Sequence, residues 1–247
     1  MFEPRVALAS LSGESDADWA RTASEHVGAA FLGGIALDDE TRKAARQLVS
    51  RNRNEFLPDD PVSFVDEQLA ALADVPIRPG VNVRSATLPP IRAVGDVCER
   101  HGAILELNAH CRQEEMCAVG AGQSLLRDAN RLYQQVRAAA ETGATVSVKV
   151  RTEVPGVNLP RVTRRAADAG ADIVHIDAMD SKRVVADVAD ATDCFLVANN
   201  GVRDGKTVAE YLDYGADAVS VGRPSDNPEV LSRVRRATDE WFAEVAV

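Results

Sequence analysis

Two patterns of apolar residues alternate along the chain. Short, nearly continuous apolar runs are typical of parallel β-strands that are covered on both faces. Longer segments with apolar residues three or four positions apart predict amphipathic helices. Eight runs of the first kind occur, and each is followed by a segment of the second kind. The predicted strands cover residues 5–10, 29–33, 81–84, 103–108, 146–151, 172–176, 194–198 and 218–221.

The predicted helices follow these strands and cover residues 16–27, 38–49, 89–100, 128–142, 159–169, 180–190, 206–214 and 227–245. One extra segment interrupts the alternation before the third strand. Residues 50–61 are polar and contain two prolines, so they predict a loop. An additional helix is expected at 61–73, because proline is favoured in the first turn of a helix and Pro61 opens this segment.

The order of these elements favours one fold. Eight strand–helix units in 247 residues match an α/β (β/α)8 TIM barrel, which runs to about 250 residues as one domain. A doubly wound sheet is the alternative. No linker or low-complexity segment divides the chain. We therefore expect residues 1–247 to form a single TIM-barrel domain, with residues 50–75 inserted before the third strand as a loop and an extra helix.

The chain is acidic and poor in lysine. It has 28 Lys and Arg residues against 38 Asp and Glu residues, for a net charge of −10, and only four of the basic residues are lysines. Because affinity for nucleic acids depends on neutralising phosphates, such a chain is a poor non-specific binder of RNA. The composition is of the halophilic type and indicates adaptation to a salty cytoplasm, since concentrated salt screens the repulsion between acidic groups. The alternative is a GC-rich genome that favours arginine codons, which explains the low lysine content but not the acidity.

The location of the protein follows from what the sequence lacks. No run of about 18 apolar residues occurs, and the first residues have neither the basic start nor the long apolar stretch of a secretory signal. We expect a cytoplasmic protein without membrane association. The four cysteines show no C-x-x-C spacing, so neither disulfides nor a structural zinc site are expected.

The active site of a TIM barrel lies at the carboxyl ends of its strands, and several predicted strands end in polar residues. Lys149 and His175 are the most informative, because each interrupts an apolar, β-branched strand. Each has a structural alternative: Lys149 as a lysine that reaches solvent along its stem, and His175 as a hydrogen-bonded core residue. Asn108 is either a site residue or a residue that ends its strand in a turn.

The last two strands end in a pattern that fits a phosphate site. Loops after strands seven and eight commonly bind phosphate in this fold. Asn200, Gly201 and Val202 follow the seventh strand, and Gly222 and Arg223 follow the eighth. Small residues expose backbone N–H groups, and arginine binds phosphate with two parallel hydrogen bonds. Ordinary turn glycines are the alternative.

The loop after the fourth strand is long and rich in glycine, and Cys111 lies near its start. A cysteine just beyond a strand at the mouth of a barrel is a nucleophile, a proton donor or inert. The spacing of the residues does not choose among these three roles.

These motifs together resemble the tRNA-dihydrouridine synthase family of flavin barrels, and in particular its short archaeal-type branch. The family reads N-x-G-C-P where this chain has Asn108-Ala109-His110-Cys111-Arg112, G-x-G-x-x-L-L at 120–126 and V-x-V-K-x-R at 146–151. His175 resembles the family's histidine on strand six. The segments 198–201 and 221–223 resemble its A-N-G and I-G-R, and 9–13 resembles a worn A-P-M-x-G.

The resemblance implies an FMN cofactor with NADPH or NADH as the electron donor. It implies Cys111, Lys149 and His175 as catalytic residues, with Lys149 at the isoalloxazine and Cys111 as the acid that protonates C5 of uracil. Asn82 stands where the family has a flavin-contacting glutamine. The implied cofactor-binding residues are Ser10, Leu11, Asn82, Asn108, Lys149, Arg151, His175, Asn200, Gly201, Val202, Gly222 and Arg223.

The chain also departs from the family. The strand-six H-x-R becomes His175-Ile176-Asp177, so an arginine is lost, and the C-terminal helical domain that helps to grip tRNA has no counterpart. An RNA substrate would then require an RNA-binding partner protein, high salt or a local basic surface. A basic rim at the mouth is expected from four arginines, namely Arg84, Arg112, Arg127 and Arg151.

Three functions remain open at this point. The first is FMN-dependent reduction of the C5=C6 bond of uridine in tRNA. The second is flavin-dependent oxidation or reduction of a free pyrimidine, similar to dihydroorotate or dihydropyrimidine dehydrogenases. The third is a non-redox barrel that keeps only the phosphate site.

Overall fold

The computed structural model describes residues 1–245, and these residues form a closed barrel of eight parallel strands. The strands follow one another around the barrel in chain order, and β8 pairs with β1 to close it. This confirms the TIM barrel. The strands are β1 Val6–Leu8, β2 Ala29–Ala36, β3 Arg78–Arg84, β4 Ile104–Asn108, β5 Thr145–Arg151, β6 Ile173–Asp177, β7 Phe195–Asn199 and β8 Ala218–Val221.

Helices cover the outside of the barrel. They are α1 Ala17–Thr22, α2 Asp39–Ser50, α3 Pro61–Ala70, α4 Leu88–Arg100, α5 Glu114–Ala118, α6 Ser124–Arg127, α7 Ala129–Ala140, α8 Leu159–Asp168, α9 Val184–Ala189, α10 Gly205–Asp213 and α11 Pro228–Val245, with a short 3₁₀ helix at Arg223–Asp226. Among residues 1–245, no helix combines the length and the hydropathy that are needed to cross a lipid bilayer.

Several predicted boundaries differ from the structure. Helix α1 ends at Thr22 rather than near residue 27. The hydroxyls of Thr22 and Ser24 donate to carbonyl oxygens three residues earlier, and such local bonds compete with continued helix. Strand β2 continues to Ala36 through a bulge at Gly33 rather than ending at that glycine. The glycine-rich loop after β4 contains two short helices, α5 and α6, that the sequence pattern did not predict.

The barrel interior has an apolar floor and a polar upper part. At the amino-terminal end, inward-facing residues form a small apolar cluster that closes the barrel. Because side chains alternate between the two faces of a strand, the next inward positions toward the carboxyl ends carry the polar groups that build the site. The floor consists of Phe2, Ala7, Ala29, Phe31, Ile104, Ile173, Val197 and Ala218.

The inserted segment packs onto the mouth of the barrel. Residue Phe56 forms a parallel bridge with Ile35 of β2, and its ring lies 5.5 Å from the ring of Phe64 in α3. Helix α3 begins as expected at Pro61, and the carboxylate of Asp60 caps it. The loop before α3 is therefore held in place at both ends.

Asp38 joins helix α2 to the loop after β3. One of its carboxylate oxygens accepts hydrogen bonds from the backbone N–H and the hydroxyl of Thr41, at 3.0 and 2.8 Å. The other accepts from Ser85 Oγ at 2.8 Å and from the N–H of Ala86 at 2.6 Å. Burial opposes ionisation, but these hydrogen bonds outweigh it and lower the pKa of Asp38.

We expect Asp38→Ala to lower the free energy of unfolding by about 2–3 kcal/mol at pH 7, because it removes a helix cap and several charge-assisted hydrogen bonds. Since the folded pKa is depressed, this contribution is present above the unfolded pKa of about 3.9 and is lost as pH falls through the folded value. Urea unfolding of both proteins at pH 7 and pH 3 checks this. An equal difference at the two pH values would contradict the assignment.

Candidate functional site

The polar residues of three neighbouring strands lie side by side inside the barrel. Asn108 of β4 is in register with Lys149 of β5, which is in register with His175 of β6. One step below, Asn82 of β3 is in register with Glu106 of β4. Three residues that the sequence singled out therefore form one row across neighbouring strands.

Glu106 lies at the centre of this interior and has no exposed surface. Its carboxylate accepts hydrogen bonds from Asn82 Nδ2 at 2.7 Å and Ser147 Oγ at 3.1 Å, and it lies 2.7 Å from Nδ1 of His175. Burial disfavours its charge, but the hydrogen bonds from His175 and Asn82 and the nearby positive charge of Lys149 outweigh burial and lower the pKa of Glu106. The sequence analysis missed Glu106. The sequence feature that could have revealed it is a charged residue within an apolar strand, two positions before Asn108.

His175 is enclosed, with both ring nitrogens close to protein partners. Nε2 lies 2.8 Å from Ser220 Oγ of β8, and Asn199 Nδ2 donates to the same hydroxyl at 2.8 Å. Burial lowers the pKa of His175, although Glu106 opposes this shift. His175 is therefore a buried, neutral imidazole that links β4 to β8 by hydrogen bonds.

Asn82 and Asn108 connect this interior to Cys111. Asn108 Nδ2 donates to Asn82 Oδ1 at 2.8 Å, and Asn108 Oδ1 accepts from the backbone N–H of Cys111 at 3.0 Å. Both ends of the Asn82 amide are used within the protein, and the residue has no exposed surface. Asn108 both ends its strand and fixes the start of the loop, which leaves Cys111 partly exposed at the mouth.

The side chain of Lys149 points into the mouth of the barrel, and its ammonium group has one protein partner. It is 2% exposed, and its Nζ makes one long hydrogen bond of 3.5 Å to Ser10 Oγ. Among residues 1–245, no carboxylate lies within ion-pairing distance of this nitrogen. Burial lowers the pKa of Lys149, whereas Glu106 and Asp177 raise it. An ammonium group with unused donors at this position is suited to an acceptor on a ligand.

His110 sits beside Cys111 with an unused nitrogen. Nδ1 is buried and has no hydrogen-bond partner among the described residues. Burial, with the positive charge of Lys149 adding to it, holds the pKa of His110 well below its usual value. The imidazole is therefore neutral and brings no positive charge next to the Cys111 thiol.

A buried ion pair forms one wall of the mouth. Nη2 of Arg84 lies 2.6 Å from the carboxylate of Glu55, which comes from the inserted loop, and it also donates to Ser12 Oγ at 2.9 Å. The Glu55 carboxylate and Cys111 outweigh burial and raise the pKa of Arg84. Nε and Nη1 of Arg84 have no partner within residues 1–245. The sequence analysis did not assign Glu55 to the site, since nothing local to that loop reveals its distant partner.

The expected basic rim is wrong for two of its four members. Arg84 is 1% exposed and Arg151 is 8% exposed, and Nε of Arg151 donates to the carbonyl of Thr152. Arg112 and Arg127 are exposed. Arginines on the inward face of β3 and β5 enter the barrel, because their positions alternate with outward-facing apolar residues.

The loops after β7 and β8 are accessible to solvent, and side-chain hydrogen bonds hold the first of them in place. Tyr211 Oη donates to the carbonyl of Asn200 at 2.8 Å, and the side chain of Asn200 donates to Asp177 at 2.7 Å. Asn200 therefore offers its backbone rather than its amide group. The N–H groups of Gly201 and Val202 have no acceptor within residues 1–245. A Cβ atom built on Gly201 meets nothing within 4 Å.

After β8, Gly222 also faces open space, and Arg223 is exposed at the start of the 3₁₀ helix. On the β1 side, Ser10 receives the bond from Lys149, and Leu11 is partly exposed with its N–H bound to Ser15 Oγ. The predicted cofactor residues therefore divide by exposure. The buried group is Asn82, Asn108, Lys149, Arg151, His175 and Val202. The partly or fully exposed group is Ser10, Leu11, Asn200, Gly201, Gly222 and Arg223.

The fold and this interior define a TIM barrel with a polar site at the carboxyl ends of its strands. The chain belongs to the dihydrouridine synthase family, whose sequence profile matches residues 91–246. Membership supports a flavin-dependent oxidoreductase built on a TIM barrel. The match begins in α4, so Asn82, Arg84 and Glu55 lie outside it.

A relative at full length is an uncharacterized protein of Methanocaldococcus jannaschii, 28% identical over 256 residues that cover 99% of this chain and 94% of that protein. FabK of Thermotoga maritima is 19% identical with a TM-score of 0.54, over 90% of this chain and 58% of FabK. The 3-hexulose-6-phosphate synthase of Salmonella typhimurium is 14% identical with a TM-score of 0.59, over 96% and 99%. These solved structures show the fold alone, since one barrel fold serves many reactions.

Gly34 makes room for the wall of the site. A Cβ atom at this position would lie 2.7 Å from Asn82 Oδ1 and 2.9 Å from Arg84 Nε. We expect Gly34→Ala to cost about 1–3 kcal/mol of stability, because a packed interior must shift to accept the methyl group. Gly205→Ala is the matched control, since its Cβ would meet only Ala237 at 3.6 Å. Thermal unfolding of the two variants measures the difference, and equal stabilities would contradict the close packing.

Proposed function

We propose that the protein is an FMN-dependent oxidoreductase that reduces the C5=C6 bond of uridine in tRNA, with NADPH or NADH as the electron donor. The observation that carries the proposal is Lys149, a buried ammonium at the mouth with one long hydrogen bond. Family membership supports the reaction class. The acidic net charge makes a free pyrimidine the second candidate substrate.

The donor groups at the mouth fit FMN. Lys149 and Ser10 offer hydrogen bonds to the ring system, while the free N–H groups of Gly201 and Val202 and the Arg223 side chain suit a phosphate. Asp177 stands where an arginine is expected from the family, and its carboxylate suits hydroxyl groups rather than phosphate. Asn82, Asn108 and His175 support the site from below.

When bound, the flavin supplies hydride transfer between the nicotinamide and the pyrimidine. Lys149 contributes a fixed positive charge in a water-poor site, where it stabilises developing negative charge more strongly than in water. Asn108 orients the backbone of Cys111, whose thiol holds the proton for C5. Neutral His110 suits this role, because a proton donor must keep its proton until the transfer.

Binding of tRNA requires contacts that overcome a net charge of −10. Arg112 and Arg127 are exposed in and beside the loop that carries Cys111. In this proposal a partner protein provides further contacts to the RNA, or high salt screens the repulsion between the RNA and the acidic surface. A free pyrimidine needs neither. The dihydrouridine content of tRNA from a strain without this protein distinguishes the two candidate substrates.

The purified protein is expected to be yellow and to release FMN on denaturation, in high and in low salt. Arg223→Ala should weaken FMN binding by about 1.5–3 kcal/mol, the value of a hydrogen bond to a charged group. Arg236→Ala, an exposed arginine on α11, should bind FMN like the wild type. Absorption spectroscopy and fluorescence titration measure both. A colourless protein that takes up no added FMN would refute the flavin proposal.

A strain without this protein should lack dihydrouridine at one or more tRNA positions. The wild-type gene should restore the modification, and Cys111→Ala should not, because the variant lacks the proton donor while the Lys149 site is intact. Cys194→Ala, far from the mouth at the start of β7, is the matched control and should restore it. Mass spectrometry of digested tRNA measures dihydrouridine. Unchanged levels in the deletion strain would leave the free pyrimidine as the substrate.

A further inference from the structure

The interior of the barrel contains an ionised carboxylate that no part of the proposed reaction uses directly. Glu106 has no exposed surface, and three donors converge on it from β3, β5 and β6. Burying a charge is costly unless it is hydrogen-bonded and compensated by an opposite charge. A positive charge near Glu106 must therefore compensate its buried negative charge.

The charged and titratable groups that face Lys149 come from several elements. Glu106 of β4 and Asp177 of β6 are negative and favour its charge. His175 of β6 and His110 after β4 are neutral, as described above. Arg84 of β3 is compensated by Glu55, and Arg151 of β5 is turned toward the carbonyl of Thr152. Glu106 lies on the strand next to Lys149 and one inward position below it, because Glu106 is in register with Ser147 and Asn108 is in register with Lys149.

The same carboxylate determines the tautomer of His175. An ionised carboxylate only accepts hydrogen bonds, so Nδ1 at 2.7 Å must carry the proton. Ser220 Oγ already accepts a bond from Asn199 Nδ2, and its own proton is free to point at Nε2. Both ring nitrogens of His175 then have a hydrogen-bond partner while the imidazole is neutral.

We propose that Glu106 is a positioning residue. Its carboxylate holds the ring of His175 in the Nδ1–H tautomer and supplies the buried negative charge that keeps Lys149 cationic at the barrel mouth. Glu106 touches neither substrate nor cofactor in this role. It acts through Lys149, and its importance for the flavin rests on the proposed function.

The first test uses the flavin-free protein. The chain has only four lysines, so selective isotope labelling gives four side-chain signals, and Lys149→Arg identifies the one that belongs to Lys149. Glu106→Gln should lower the titration midpoint of Lys149 by about one to three pH units, the effect of a nearby opposite charge. Glu106→Asp should largely restore it. Ser147→Ala removes a hydrogen bond from Glu106 but no charge, so it should shift the midpoint far less.

An unchanged midpoint in Glu106→Gln would overturn the proposal, as would an equal shift in Ser147→Ala. Should the Gln variant fail to fold, the wild type provides the test. Of its four histidines, the enclosed His175 should show a proton on Nδ1 near neutral pH in nitrogen NMR spectra. A proton on Nε2 instead would also overturn the proposal.

The flavin-bound protein gives a separate readout. Loss of the cation should make the midpoint potential of bound FMN more negative in Glu106→Gln than in Ser147→Ala. If the protein takes up no FMN while Lys149 still shifts in the flavin-free variant, the proposed function fails and the role of Glu106 toward Lys149 stands. If FMN binds but its potential is the same in both variants, the role of Glu106 toward the flavin is wrong.

Discussion

The site depends on one buried charge, the carboxylate of Glu106. A carboxylate without exposed surface is stable only where hydrogen bonds and opposite charges replace water. Three donors and the nearby ammonium of Lys149 meet this requirement. The side chains of Asn82, Ser147 and His175 must keep their rotamers to maintain these hydrogen bonds. The bonds therefore restrict motion in the interior. A removal of any donor leaves a lone pair of a buried anion unsatisfied.

Hydrogen bonds extend from Glu106 to two separate loops at the carboxyl ends of the strands. One path runs through Asn82 and Asn108 to the backbone of Cys111. The other runs through His175 and Ser220 to Asn199, next to the loop with the free N–H groups. Cys111 and the loop after β7 are thus both connected by hydrogen bonds to the same buried interior, and precise sites need this kind of support.

One wall of the site lies in the part of the chain that the family profile does not match. The family match starts at residue 91, whereas the wall formed by Glu55, Arg84 and Gly34 lies before it. This wall joins an inserted loop to the inner face of β3 and lies close to Cys111.

Local pattern was sufficient for the fold and for part of the site. The alternation of apolar runs and amphipathic segments predicted eight strand–helix units, since burial imposes these periods wherever the chain folds. Lys149 and His175 were recognisable because each interrupts an apolar strand, and Asn108 because a polar residue ends its strand. The pattern did not reveal that His175 and Asn82 are enclosed, that Arg84 turns inward, or that Glu55 compensates it. Those facts depend on closure of the barrel, which sets residues far apart in sequence within hydrogen-bonding distance and so decides which charges are paired and which remain free.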